Sequence, residues 1–195
     1  VTGSTEGIFT NTSGFLSTTE GGTNTSETGY GTSVLAVVQA PSFSKQFSPN
    51  PIYAGETSTL TFTIGNPNTV TLADIGLNDP LATDLVVATP AGVTSTNCNY
   101  NADPGFSVTA ASGSSNIQAT AISIGPGSTC TIHVNVTSTL ESDYANSASL
   151  TTNITGLSIP PATDTLAVIA HYPSLTLLKQ VSSSPSGPWS SFLNI

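Results

Sequence analysis

Apolar residues recur at every second position in several short segments of this 195-residue chain. The segment STLTFTI places Leu60, Phe62 and Ile64 on one side of an extended backbone, and CTIHVNV and TDTLAVIA repeat the pattern. Turn-forming clusters such as GNPN and GPGS separate these segments at a spacing of about ten residues. No helical periodicity is sustained along the sequence. The pattern predicts an all-β fold, built as an antiparallel sandwich.

The charge balance restricts the partners of such a fold. The chain has 2 Lys+Arg against 11 Asp+Glu, a net charge of -9. Nucleic acids and anionic membranes are bound through clustered basic residues, so we expect the chain to bind neither. No apolar run reaches the roughly 18 residues of a membrane span, so no membrane insertion is predicted. Solubility must come from Ser, Thr, Asn and Gly, as in secreted and cell-surface β proteins, which predicts an extracellular location.

The two cysteines, Cys98 and Cys130, suggest a covalent staple. An even number of cysteines in a secreted-looking chain indicates a disulfide bond. Two free buried thiols are the alternative. No His or further Cys stands nearby at the spacing of a zinc site, and neither a metal nor another cofactor is predicted.

Three features recur along the chain at a nearly constant distance. EGIFTNTSGFLSTT resembles ESDYANSASLTT, SVLAVV resembles DTLAVI, and the lysine of PSFSKQF matches the lysine of PSLTLLKQV. The offsets are 135, 131 and 134 residues. A period of this length indicates tandem domains. We therefore expect the last strands of one module in residues 1–39, a complete module in 41–170, and the first strand of a third module in 172–195.

Four segments of the predicted complete module carry a family resemblance. PSFSKQFSPNPIYAGETSTLTFTIGNPN, LADIGLNDPLATDLVV, GSTCTIHVNVTS and DYANSASLTT, in this order, resemble the DUF11-type repeat of bacterial surface proteins. The resemblance covers residues 41–170. It implies an immunoglobulin-like sandwich within a large extracellular, cell-surface or sheath-like protein, and it implies no known enzymatic activity.

The two lysines stand where core residues are expected. Lys45 shares one face of its strand with Phe43 and Phe47, because residues two apart in a strand point the same way. Lys179 alternates in the same manner with Leu177 and Val181. A buried ammonium group is costly, so each lysine must be paired, neutralised or consumed by a reaction.

Two further polar residues interrupt apolar faces. Asp79 alternates with Leu77 and Leu81, and Asn146 alternates with Tyr144 and Ala148. The complete module therefore directs one Lys, one Asp and one Asn inward, from three different strands. In the preceding module, Asn11 is the equivalent of Asn146.

Lys45, Asp79 and Asn146 are the residue types required for a spontaneous Lys–Asn isopeptide bond. Desolvation favours an uncharged amine and a protonated carboxylic acid, which attack and polarise the Asn amide. The arrangement resembles that of pilin and adhesin domains of Gram-positive bacteria, which link a first-strand Lys to a last-strand Asn. Two other interpretations remain: a buried Lys45–Asp79 ion pair, with Asn146 bonded to the backbone, or a Lys45 that snorkels to solvent at a strand end.

The sequence favours a non-enzymatic structural module of an extracellular stalk, sheath or filament, whose partners are neighbouring modules or identical subunits. At most it catalyses its own cross-link. Two alternatives are an adhesin module that binds a glycan or a surface protein, and a filament subunit that donates its Lys179 strand to the Asn11 module of a neighbour. Asn135 and Asn153 fit the N-glycosylation sequon, and Asn135 is expected to face outward.

Overall fold

The regular elements in the described part of the chain are all β-strands. The computed structural model describes residues 7–14, 17–19, 22–23, 31–154 and 156–172. The strands are β1 (Gly7–Thr12), β2 (Ser17–Thr18), β3 (Gly22–Thr23), β4 (Thr32–Val37), β5 (Ser42–Ser48), β6 (Ile52–Tyr53), β7 (Thr57–Gly65), β8 (Leu72–Pro80), β9 (Val86–Val87), β10 (Thr94–Thr96), β11 (Ser107–Thr109), β12 (Asn116–Ile124), β13 (Thr129–Thr137), β14 (Ser142–Thr151) and β15 (Ala162–Ile169).

Strands β5–β15 form two facing sheets. One sheet has the order β10-β13-β7-β5, with β9 also paired to β13, and the other has the order β11-β12-β8-β14-β15-β6. Each pairing is antiparallel except that of β6 with β15. The predicted all-β, immunoglobulin-like sandwich is confirmed.

The core lies between the two sheets and follows the alternation of the sequence. Strands β7 and β13 each bury every second side chain, and Phe62 of one lies opposite Ile132 of the other. Both side chains are fully buried, as are Ile117 and Leu166 of the facing sheet. Each such residue stabilises the fold by about 1.5–3 kcal/mol relative to an exposed position.

A bulge in β8 sets the face to which the end of that strand points. Leu72 and Ile75 are both buried although they are three positions apart, because Asp74 between them has a positive φ of 55°. The register with β12 shifts in the same region. After the bulge, regular alternation turns Leu77 and Asp79 inward.

The chain enters and leaves the sandwich at opposite ends. Strand β5 begins at Ser42 beside Gly65 and runs toward Thr59. We call the end that contains Gly65 the proximal end. Strand β15 finishes at Ile169 beside Tyr53, four residues before β7 begins at Thr57, and we call this the distal end.

The hairpin of β1 and β4 repeats the pairing of β14 and β15. Phe9 lies opposite Leu35, and their sequence equivalents Tyr144 and Leu166 are also paired. The shared register extends to Asn11, which lies opposite Ser33. Both strand pairs therefore have the same register, while the division into modules at 1–39, 41–170 and 172–195 stays a prediction.

Candidate cross-linking site

Lys45 is the central residue of the site. It lies on β5, an edge strand, and its side chain is fully buried between the sheets. The Nζ atom donates a hydrogen bond to Asp79 Oδ2 at 3.0 Å and a second one to Asn146 Oδ1. The rings of Phe47 and Phe62 lie 5.4 and 5.6 Å from Nζ, within cation–π range. The alternative that Lys45 snorkels to solvent is wrong, because the alternation of β5 points its side chain into the core.

The facing sheet supplies the two partners of Lys45. Asp79 is at the end of β8, and Asn146 is on the neighbouring strand β14. Both residues are buried. Asn146 Nδ2 donates a hydrogen bond to the carbonyl oxygen of Pro80 at 2.8 Å, which fixes the orientation of its amide. The three residues predicted to share a site are thus in contact.

Burial shifts the pKa of both ionisable groups toward their neutral forms. Desolvation lowers the pKa of Lys45 below 10.5, and the carboxylates of Asp79 and Asp164 oppose that change. Desolvation raises the pKa of Asp79 above 3.8, against the effects of Lys45 and Asn146. Among the described residues, Asp79 Oδ1 has no hydrogen-bond partner. Both shifts reduce the free-energy difference between the charged pair and the neutral pair, an amine beside an uncharged acid.

The predicted equivalents of Asn146 and Lys45 in the neighbouring modules are Asn11 and Lys179. Asn11 lies on β1 with its side chain exposed, because the β1–β4 hairpin has no second sheet over it among the described residues. Lys179 lies outside the described residues. The role assigned to these two residues stays a prediction.

Asp164 is the residue at this site that sequence reasoning missed. It lies on β15 directly opposite Asn146 and is half-buried. The signal was present, because Asp164 interrupts an apolar face shared with Leu166 and Val168, as Asp79 and Asn146 interrupt theirs.

Cys98 and Cys130 form the predicted disulfide bond. Cys130 lies on β13, and Cys98 lies in the segment after β10, with a Cα–Cα distance of 4.6 Å. The alternative of two free thiols is wrong. Both cysteines lie between Lys45 and Asn146 in the sequence, so the disulfide loop is nested inside the segment that the Lys45–Asn146 pair spans.

The two glycosylation candidates differ in access. Asn153 is exposed and donates a hydrogen bond to Asp74. Asn135 faces away from the core, but it is half-buried, and its Oδ1 accepts a hydrogen bond from Thr59. Gly92 packs so closely on Asn135 that a Cβ there would lie 2.3 Å from Nδ2. A sugar on Asn135 would require this loop to move.

A buried asparagine pair at the proximal end also escaped sequence reasoning. Asn66 and Asn68 are almost fully buried and bonded to each other. The Asn68 amide accepts a hydrogen bond from the N–H of Gln39 and donates one to its carbonyl oxygen. This clamp fixes the backbone just before β5. Gly and Asn in GNPN predict a turn, but not a buried network.

The described part of the chain shows neither a metal-binding cluster nor a membrane-spanning helix. No group of three or more His, Cys, Asp or Glu side chains there is arranged to hold a metal ion. Nor does that part contain a helix long and apolar enough to span a membrane.

Solved structures with a similar fold have little sequence identity with this chain. No curated protein matches the chain in sequence. The major pilin subunit BcpA of Bacillus cereus is 14% identical with a TM-score of 0.51, and the match covers 74% of this chain but only 46% of the pilin. The collagen-binding domain of a Staphylococcus aureus adhesin is 13% identical with a TM-score of 0.47, covering 64% of this chain and 96% of that domain.

A family match covers most of the sandwich. Residues 41–168 match the family described as Domain of unknown function (DUF7933). A specific relation to the DUF11-type repeat stays a prediction. Since the matched residues make up more than half of the sequence, the chain belongs to the DUF7933 family.

Proposed function

We propose that this sandwich is a non-enzymatic structural module of an extracellular stalk, sheath or filament, cross-linked internally by an isopeptide bond between Lys45 and Asn146. The observation that carries the proposal is the buried Lys45 amine, in contact with both the Asn146 amide and the Asp79 carboxyl group. Its partners are neighbouring modules of the same chain or identical subunits.

The proposed reaction balances without a cofactor. A proton passes from Lys45 to Asp79, the Nζ lone pair attacks Asn146 Cγ, and the protonated Asp79 polarises the amide oxygen. The Nζ–Cγ bond forms as the Cγ–Nδ2 bond breaks. Nδ2 leaves with the two protons lost from the original ammonium group, as an ammonium ion. The domain acts once, on itself.

A plain ion pair is a weaker explanation of this cluster. A buried ion pair contributes little stability compared with apolar residues of the same size. Lys45 is also one of only 2 Lys+Arg residues in the whole chain, and it contacts an amide that can accept it covalently.

The topology supports a mechanical role. The chain enters at the proximal end through β5 and leaves at the distal end through β15, so modules of this kind connect end to end. A bond from Lys45 to Asn146 joins the entering strand to the opposite sheet, on β14 beside β15. Tension applied along such a string would therefore pass through the bond.

We expect intact mass to reveal the cross-link. The full chain, analysed under denaturing conditions, is expected to be lighter than its sequence mass by one ammonia. Lys45→Ala and Asn146→Ala remove the donor and the acceptor, so neither variant is expected to lose ammonia.

A disulfide also changes the mass, so the measurement is repeated after reduction. Reduction is expected to restore two hydrogens but not the missing ammonia. A wild-type chain that shows its full sequence mass after reduction would leave Lys45 as an ion-paired core residue and refute the cross-link.

A second arrangement is favoured by the exposed hairpin. Phe9 and Leu35 of the β1–β4 hairpin are 46% and 37% exposed, whereas their equivalents Tyr144 and Leu166 are 5% and 0% exposed. Among the described residues, the hairpin therefore has the register of a closing strand pair without a sheet that covers it. A Lys179 strand donated by an identical subunit would pack on this face, with Asn11 as the acceptor.

Strand donation predicts covalent ladders. If it occurs, the full chain at high concentration is expected to form SDS-resistant multimers that are lost in Lys179→Ala and Asn11→Ala. The Lys45→Ala variant is the matched control, and its ladder should persist. Monomers alone at every concentration would exclude this arrangement.

A further inference from the structure

Asp164 bridges the two sheets beside the proposed bond. Its Oδ2 accepts a hydrogen bond from the backbone N–H of Phe47 on β5 at 2.8 Å, and its Oδ1 accepts one from Thr165 N–H at 2.9 Å. Phe47 is two residues from Lys45 on the same face of the same strand. Asp164 is at the same time the register partner of Asn146. One carboxylate thus touches the strand that carries the amine and lies opposite the residue that carries the amide.

We propose that Asp164 is a positioning residue of the cross-linking site, which holds β5 so that Lys45 Nζ lies against the Asn146 amide. The inference rests on the proposed function and adds a fourth residue to it.

Strands β5 and β15 lie next to each other where the two sheets meet, and we call this boundary the seam. The seam explains why such a residue is required. These two strands belong to different sheets and share no backbone ladder. β5 is held on one side by β7, and its outward-facing N–H groups have no pairing strand in the part of the chain that the structure describes. Side chains therefore connect the two strands across the seam. Asp164 accepts a hydrogen bond from Phe47 N–H in the middle, and Asn50 forms hydrogen bonds with the β15 backbone near the distal end. Of these two contacts, the one made by Asp164 is next to Lys45.

The position of Lys45 Nζ matters because nucleophilic attack on an amide tolerates little displacement of the amine. Reacting atoms need to lie about 3–3.5 Å apart, and a displacement of about 1 Å costs roughly a hundredfold in rate. An edge strand held on one side shifts by this amount more readily than a paired one. Hydrogen bonds to a carboxylate are also stronger than those between neutral groups, which suits Asp164 to the task.

The charge of Asp164 has a separate effect on protonation. The titratable groups around Lys45 are Asp79 on β8 and Asp164 on β15, and both favour its protonated form. The reaction needs one proton shared by Lys45 and Asp79, so its rate should fall when both groups hold protons and when neither does. Removing the negative charge at 164 makes protons leave the pair more easily, so both limbs of the pH profile should move to lower pH.

Cross-linking rates of matched variants test this inference. Full-length chains kept unfolded from synthesis onward are diluted into native buffer in which the disulfide forms, and samples are quenched in denaturant at intervals. Intact mass then gives the fraction that has lost ammonia. Asp164→Ala is expected to slow this loss about ten- to hundredfold. Asn50→Ala removes two hydrogen bonds of the same seam at a distance from Lys45 and should react at nearly the wild-type rate.

Asp164→Asn separates the hydrogen bond from the charge. Its side-chain oxygen still accepts from Phe47 N–H, so we expect cross-linking close to the wild-type rate, with the pH profile displaced to lower pH. If Asp164→Ala reacts as fast as wild type, or is slowed no more than Asn50→Ala, the positioning role is wrong. If the wild-type chain itself never loses ammonia, the cross-link of the proposed function fails, which is a different and distinguishable result.

Discussion

Pulled from its two ends in a force spectrometer after reduction of the disulfide, the wild-type chain is expected to lengthen by about 340 Å less than a reduced Lys45→Ala variant. Lys45 and Asn146 are 101 positions apart, and a covalent bond between them would carry the tension past every residue in between. An extended residue spans about 3.3–3.6 Å, so roughly 100 bypassed residues account for the difference. Segments outside the bond extend equally in both proteins.

The nested disulfide provides an internal control for this experiment. Cys98 and Cys130 are 32 positions apart and both lie within the bypassed segment. Reduction should therefore add no length to the wild-type chain, and about 110 Å to Lys45→Ala. Asn146→Ala should behave like Lys45→Ala and covers the case in which the lysine variant folds poorly. A wild-type chain that lengthens on reduction, or that extends as far as the variants, would contradict the bond.

Replacing Asp79 by alanine is expected to reduce the free energy of unfolding by about 3–5 kcal/mol relative to an uncross-linked reference. The variant loses the proposed acid and leaves Lys45 buried without its nearest carboxylate. The reference is Asn146→Ala, which has no acceptor but keeps the Lys45–Asp79 pair. This choice excludes the cross-link itself, which by the chain-entropy model would be worth about 4–5 kcal/mol for a loop of this length. Urea unfolding of both proteins gives the difference.

A double variant distinguishes lost charge pairing from lost volume. Lys45→Met with Asp79→Leu replaces both charges by apolar side chains and should be at least as stable as Asn146→Ala. If the double variant is as unstable as Asp79→Ala, the cost comes from packing, and the ion-pair argument is wrong.

The Asp79→Ala variant should also have a distinctive pH dependence. Burial lowers the folded-state pKa of Lys45 below 10.5, and the loss of Asp79 removes the main effect opposing that change. Between the lowered pKa of Lys45 in the folded chain and its ordinary pKa in the unfolded chain, the unfolded chain then binds more protons than the folded one. Its free energy of unfolding should therefore rise with pH through this window, up to about 10.5. The apolar double variant lacks both groups and should not show this rise.

Much of the site followed from local pattern alone. Alternation predicted the strands, and it predicted that Lys45, Asp79 and Asn146 point inward, since the direction of a side chain depends only on its own strand. The same rule applied to TDTLAV also turns Asp164 toward the face of Leu166 and Val168, so its position was predictable from the sequence.

Other features could not be predicted because they depend on distant partners. The outward direction of Asn135 was predicted, but its cover by the loop at Gly92 depends on how the segment after β9 folds back over β13. The clamp of Asn68 on Gln39 joins residues 29 positions apart through a buried amide. Neither contact has a periodic signal in the sequence.

The sequence by itself determined the strand content, the inward direction of three polar residues and the pairing of the only two cysteines. Each depends on the two-residue period of a strand or on a simple count. Only the tertiary structure decided that Lys45, Asp79 and Asn146 are in contact, and that Asp164 connects β15 to β5 beside them. Asp79 and Asn146 are 34 and 101 positions from Lys45 in the sequence. The packing of two sheets over one core brings these residues together, and no local pattern encodes that packing.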